Sequence, residues 1–377
     1  MFDIKKTLCY DLGVYDQKIT REFSPSLEEG VCLLNFTTDD EILQDKRNGK
    51  ERPWRAKKMR GLILADSYKR LDYEKKAERV KLCATVLTFS EDKTTKELTF
   101  KRSNFCRDRM CPVCQWQRSL RIFFQVSWVM DIAQERYKDL VPVFLTLTIK
   151  NCIDIELEQK IKDIFQGWHR LLNHRKLKRI LKGWFRALEV TYDKDKHIGA
   201  RRYNKRKAEY DRAGIKSGDV NPNHDTYHPH IHVILMVDKS YFHKDNKDYM
   251  RTTDWVQMWR GAMKLSYDPV CDIRAVRNRP GKRKEVAEVA KYTLKDTDFL
   301  HSKNPNLTDK LVTVLGDSLK HKRLFAFGGV LKDIAKDLKV DEKKSIADEE
   351  DVREDVASVL VHFRWNFGAM NYFRVTI

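Results

Sequence analysis

The clearest pattern in the chain is a β-branched run whose polar and apolar positions first alternate and then give way to apolar residues alone. It reads His228-Pro-His-Ile-His-Val-Ile-Leu-Met-Val237. Side chains in a strand alternate faces, so His228, His230 and His232 share one face, and Ile231, Val233 and Leu235 point the other way, toward a core. Similar runs predict strands at 141–149, 185–192, 270–276, 357–366 and 370–377. Apolar spacings of three and four predict helices over 119–137, with Ser119 as N-cap, one or two over 155–182, and others at 252–265, 285–295 and within 307–338. These strands and helices mingle without βαβ regularity. The expected fold class is α+β, a central antiparallel sheet with packed helices. A long polar stretch, 193–227, interrupts this pattern before the histidine strand, and such loops are either functional or disordered.

Four regions follow. Residues 1–50 are poorly periodic and stay unassigned. Residues 51–118 hold a basic helix, with either a DNA-facing or a solvated polar side, and then a four-cysteine segment. Residues 119–340 hold the sheet. Residues 341–377 are an acidic connector and two strands expected to pack on that sheet.

Charge adds a partner class. The chain of 377 residues carries 74 Lys+Arg against 55 Asp+Glu, a net charge of +19, which favours a polyanion such as nucleic acid. Basic patches at 55–60, 201–207 and 277–284, including Arg201, Arg202, Lys282, Arg283 and Lys284, suit phosphate contacts. No apolar run approaches about 18 residues, and the N-terminus lacks a signal-peptide pattern, so a cytoplasmic protein without a membrane span is expected. The eight cysteines are then thiols or metal ligands.

Cys106, Cys111 and Cys114 stand in a C-x4-C-x2-C spacing. Cys83 is the candidate fourth ligand, in competition with Cys9, Cys32 and Cys152, while Cys271 reads as a core residue. Four thiolates suit a closed structural Zn2+ site. Arg107, Arg109 and Arg118 beside them would offset its charge and could touch phosphate. Imidazoles aligned on the histidine strand can bind a divalent cation. On the helix at 285–295, Glu288 and Tyr292 are four residues apart and share a face, which Glu285 and Lys295 flank. A tyrosine beside a carboxylate and a lysine can act as a nucleophile, although that helix by itself is ordinary.

Phe144-Leu-Thr-Leu-Thr-Ile149, His228-Pro-His-Ile-His232 and Lys291-Tyr-Thr-Leu-Lys295 stand in that order in the chain. Together they closely resemble the rolling-circle plasmid replication initiators (Rep proteins) of the HUH endonuclease superfamily, in the group with one tyrosine and a nearby glutamate. The segment Cys106 to Arg118 and Gly328-Gly-Val-Leu-Lys332 resemble further parts of that group, and the likeness covers roughly residues 52–377. The resemblance implies an RRM-like palm with helices on one side of the sheet, the histidine pair on a middle strand, and the tyrosine helix beside it, so that 119–340 would be the endonuclease domain. It also implies Mg2+ or Mn2+ on His230, His232 and a third ligand, with Glu189 the candidate and His228 the competitor. Tyr292 would be the nucleophile and Glu288 the terminating residue, with Lys295 and Lys291 near phosphate; Thr146 and Thr148 would line the site or simply pack. The implied reaction is nicking of origin DNA, single-stranded or extruded as a hairpin with duplex nearby. It leaves a 5′-phosphotyrosine and a 3′-OH for a host polymerase, with a host helicase opening the strand ahead. The stretch 193–225 departs from the family pattern and would be an insertion adding DNA contacts. A transposase or relaxase shares the same chemistry, and a non-catalytic zinc-dependent DNA-binding protein shares the composition. The oligomeric state is left open.

Overall fold

The computed structural model describes residues 41–243, 245–276, 286, 294–340 and 358–375. These fall into two compact units, one formed by 41–118 with 358–375, the other by 119–340. The strands are β1 (Lys46–Arg47), β2 (Lys50–Glu51), β3 (Val86–Asp92), β4 (Leu98–Ser103), β5 (Leu140–Thr148), β6 (Leu181–Asp193), β7 (Thr226–Asp238), β8 (Cys271–Ala275), β9 (Phe325–Gly329), β10 (Ser358–Asn366) and β11 (Asn371–Val375). The fold is α+β, as the mixed pattern implied.

The larger unit is built on an antiparallel sheet of order β8-β5-β7-β6-β9, with the histidine strand β7 in the middle. Residues 231–237 of β7 are buried on both faces, as expected of a run that is apolar at every position after His232. The resemblance implied helices on one side only, but here both faces are covered. Cross-strand partners share a face, so Trp184, opposite Leu235, and Arg186, opposite Val233, lie on one side. There Trp168 and Phe165 of the helix Asp154–Leu172 pack on them. On the other side, Phe144, Phe185, Ile234 and Met236 form a core with Phe123, Val126, Val129 and Met130 of the helix Pro112–Arg136, and with Leu331 and Ile334 of the helix Val330–Asp337. The histidine face therefore runs, two residues on, into the hydrophobic core.

The strand β9 was not expected; the helices foreseen within 307–338 are Pro305–Leu319 and Val330–Asp337, with Phe325-Ala-Phe-Gly-Gly between them as an edge strand on β6. The two glycines belong there. A Cβ on Gly328 would lie 2.1 Å from the Trp184 ring, and Gly329 has φ +55 with Lys182 O 2.2 Å from such an atom.

In the smaller unit β11-β10-β3-β4 form a second antiparallel sheet. The C-terminal strands were expected on the central sheet, but they pair with β3 instead. The reason is aromatic: Phe363 of β10 meets Phe89 of β3, and Trp54 packs against Phe89, Phe100 and Trp116. The basic helix is Trp54–Arg70, and it presents no basic outer face at 55–60. Lys57, Lys58 and Arg60 are buried, and Arg55 donates to Met370 O.

Candidate functional site

The smaller unit gathers Cys83, Cys106, Cys111 and Cys114, all buried, with their sulfurs within 4.8 Å of one another. The distances Cys83–Cys114, Cys106–Cys114 and Cys111–Cys83 are each 3.6 Å. A disulfide would bring sulfurs to about 2.05 Å. Tetrahedral bonds of about 2.3 Å from four thiolates to one ion would set them roughly 3.8 Å apart, so the donor set fits a closed tetrahedral metal site. The competitor Cys152 belongs to the larger unit, where it is bridged to Tyr227, and Cys271 is buried on β8, as expected of a core residue.

Local structure explains the convergence. The residues after Cys83 and Cys106, Ala84 and Arg107, have φ +55 and +60, tight turns that fold backbone amides onto sulfur. Cys106 N donates to Cys83 Sγ and Asp108 N to Cys106 Sγ, both at 3.4 Å. The helix expected from Ser119 starts at Pro112 instead, so Cys111 precedes its first turn and Cys114 lies within it. Amide dipoles at a helix N-terminus favour thiolates. Hydrogen bonds from the other sulfurs hold Cys106 far below the usual thiol range, while burial pushes Cys111 up. Lys58, which nothing in a basic helical segment singles out, donates to Cys83 O and Lys81 O at 2.6 Å each. Burial lowers it to about 8 against the opposing pull of Cys83, Cys111 and Cys106. Arg107 and Arg109 are exposed beside the cluster, and Arg118 reaches Arg107 O.

The larger unit holds the second cluster. In the β6–β7 ladder Glu189 is opposite His230 and Ala187 opposite His232; in the β5–β7 ladder Thr146 is opposite His232. Register alone therefore puts these side chains on one face. Glu189 Oε2 lies 3.0 Å from His232 Nε2 and 3.4 Å from His230 Nε2. Neighbouring ligands of an octahedral ion with bonds of about 2.1 Å are roughly 3 Å apart, so two imidazoles and one carboxylate fit a divalent cation. His228 stacks on His230, with ring centroids 4.9 Å apart, but is not among the three converging residues. Burial, then the charges of His230 and Arg206, push it down to about 4. Burial alone would raise Glu189, but hydrogen bonds from His230 and His232, when their Nε2 atoms are protonated as well, and the charges of His230 and Lys295 hold it well below the usual carboxylate range.

Both ring orientations are set from behind. His230 Nδ1 donates to His228 O at 3.0 Å, and His232 Nδ1 meets Thr146 Oγ1 at 3.0 Å. Each Nδ1 carrying the proton leaves Nε2 as the ligating atom. Phe144 stacks on His232 at 5.6 Å between centroids. Thr148 is turned away and donates to Val270 O. Lys295 Nζ is 3.0 Å from Glu189 Oε1. Arg202 is paired with Asp193, and Arg201 is exposed. Tyr292, Glu288, Lys291, Glu285, Lys282, Arg283 and Lys284 lie outside the described residues, as do Cys9, Cys32 and the acidic connector. The described neighbours of the tyrosine segment are Val286, buried in the core on the histidine face, and Leu294, also buried.

A family model described as "Replication protein" matches residues 97–373. The chain is 34% identical over 370 residues to "Protein rep" of Bacillus amyloliquefaciens, covering 90% of this chain and 99% of that one. It is 32% identical over 347 residues to "Protein rep" of Streptococcus pneumoniae serotype 2, covering 90% and 98%. Against "Protein rep" of Staphylococcus aureus the identity is 31% over 252 residues, covering 67% and 96%. No solved structure matches. The chain belongs to the Rep family of replication proteins, the plasmid replication initiators that its motifs resemble. DNA is accordingly its partner. Among the described residues no helix is long and apolar enough to cross a membrane.

Proposed function

We propose that this protein starts rolling-circle replication by nicking and later rejoining one strand of plasmid origin DNA through Tyr292. Mg2+ or Mn2+ would be held by Glu189, His230 and His232, and Zn2+ by Cys83, Cys106, Cys111 and Cys114. The observation that carries the reading is the meeting of the Glu189 carboxylate with both Nε2 atoms, each ring locked through Nδ1.

A bound divalent cation supplies positive charge against the non-bridging oxygens of the scissile phosphate. The chain's own groups do the rest. A tyrosine of ordinary pKa near 10 is ionised to roughly one part in a thousand at neutral pH, so the phenol must lose its proton as it attacks. The new bond is Oη to phosphorus, and the bond broken is phosphorus to O3′. The products are a 5′-phosphotyrosine and a 3′-OH that a host polymerase can extend, while a host helicase opens the duplex ahead. The phosphotyrosine keeps the ester's energy, so rejoining needs no ATP. Glu288 would later activate water, or assist a second transfer, to end the cycle. Lys295 stands three residues after Tyr292, and its ammonium is anchored on Glu189. At most about 11 Å separates the Cα atoms of Tyr292 and Lys295, which supports placing the phenol near the histidine pair.

The test is incubation with an origin oligonucleotide and Mn2+, followed by mass spectrometry of the modified peptide. The expected result is one nucleotide adduct on Tyr292, lost in Tyr292→Phe while DNA binding persists. An adduct on another side chain, or one that survives in Tyr292→Phe, sinks the assignment. Glu288→Ala is expected to nick normally and accumulate the covalent species; normal release would remove Glu288 from the scheme.

A further inference from the structure

The stretch 193–225 is an ordered extension of the hairpin that carries Glu189, His230 and His232. β6 and β7 stay paired as far as Asp193 and Thr226, and the chain between them folds on itself. Two short helices, Ala200–Lys205 and Lys207–Arg212, and a bridge between His197 and Val220 enclose Ile198, Tyr210 and Asn221, all buried. Arg202 clamps its base, with both guanidinium Nη atoms on Asp193 at 2.8 and 2.6 Å and Nε on Tyr210 OH. Asp225 braces it from the other side, receiving Lys310 Nζ at 2.9 Å and Tyr192 OH at 2.7 Å.

The charges sort by sign. Nearly every acid of the extension is engaged inside the protein. Asp193 binds Arg202 and Asn221, Asp211 accepts from Tyr203 OH, Asp219 accepts from Lys216 N, Asp225 takes Lys310, and Glu209 pairs with Arg206. By contrast Lys194, Lys196, Arg201, Lys205 and Lys207 are exposed and form no ion pair among the described residues. The aromatics are turned to structure: Tyr203 and Tyr210 stack on each other at 6.1 Å, and Tyr210 is buried. A surface that binds single strands needs exposed rings for bases to stack on. Here no Tyr, Phe or Trp ring is exposed, and the five unpaired cations outweigh Asp195, the one exposed acid whose carboxylate has no partner among the described residues; cations read the phosphate backbone.

We propose that residues 194–224 form a rigid wing that grips the backbone of duplex DNA beside the nick site, through Arg201, Lys205 and Lys207, and so sets the spacing between duplex contact and cleavage. This deepens the nicking reading and rests on it for the position of the scissile phosphate. The spacing follows from the strands. Asp193 is four residues beyond Glu189, about 13 Å at the usual rise, which corresponds to roughly four base pairs of duplex.

The test uses the full chain with the triple substitution Arg201→Ala, Lys205→Ala, Lys207→Ala. All three side chains are exposed, and matching thermal melts of the variant and the parent establish that it folds. The readouts are binding to origin duplex across a salt series, binding to and nicking of a single-stranded origin oligonucleotide, and a hydroxyl-radical footprint. The expected result is a tenfold or greater loss of duplex affinity, a salt slope shallower by about 2 to 3, and unchanged single-strand nicking. The footprint of the parent is expected to begin about four base pairs from the nick, with that edge lost in the variant. Unchanged duplex affinity overturns the wing, and an equal loss on single strands reassigns it to a single-strand groove. If the parent never nicks but the variant still loses duplex affinity, the nuclease reading fails and the duplex grip stands.

Discussion

Thr146 does for His232 what a backbone carbonyl does for His230: its hydroxyl meets Nδ1 and aims Nε2 at Glu189. A hydroxyl can be deleted without changing shape, so Thr146→Val isolates that role. The expected effect is a 10- to 100-fold weaker affinity for Mn2+, measured by calorimetry without DNA, with Thr146→Ser restoring it. Equal affinity in the valine variant would make Thr146 a packing residue. The cysteine cluster supports a parallel expectation. Cys111→Ser should lose one equivalent of metal by elemental analysis and unfold at a lower temperature, because a closed thiolate site contributes folding free energy outright. Retained metal would contradict the four-thiolate site. The ligand types were legible from the residues themselves, since few side chains bind metals and their spacing is local. Thr146 and Lys58 were not legible as partners, because each acts across a strand ladder or a helix contact that no local spacing encodes.

At the scale of elements, β9 illustrates a signal that is easy to misread. Phe325-Ala-Phe-Gly-Gly has too few apolar positions to announce a strand and ends in residues that usually mark turns. The glycines are there for close approach, and Gly328→Ala is expected to destabilise by about 2 kcal/mol or more, read by chemical denaturation. A neutral result would mean that Trp184 swings aside at little cost. The helix at Pro112 teaches the complementary lesson. Ser119 has the residue type of a cap, but the proline and the cysteine knuckle before it start the helix seven residues earlier. The extension 193–225 is also an element-scale surprise, since its polar composition hides a small core of Ile198 and Tyr210. Arg202→Ala should release that fold and speed proteolysis within it; unchanged cleavage would make the Asp193 pairing dispensable.

At the scale of the whole molecule, two compact units each gather one set of metal-type ligands. In the smaller unit the C-terminal strand is tied back by Arg374, whose Nη1 and Nη2 meet Glu91 at 3.0 Å. The hydrogen bonds from Arg374 hold Glu91 below its ordinary 4.5. A carboxyl depressed by folding stabilises above its unfolded pKa and loses that contribution as pH falls through the folded value. Acid should therefore loosen this strand below about pH 4.5, and Glu91→Gln should flatten that part of the stability profile. An unchanged acid limb would show the pair to be energetically silent.

The sequence by itself determined the α+β class and the two groups of ligand-type residues, because period and residue chemistry are local properties, while the middle position of the histidine strand was implied by the family resemblance. Only the tertiary structure decided that Glu189 rather than His228 completes the histidine cluster, that the sheet is covered on both faces, that the C-terminal strands join β3, and that the polar stretch is an ordered wing. Those outcomes depend on strand register and on which apolar faces meet, and both are settled by contacts between residues far apart in the chain.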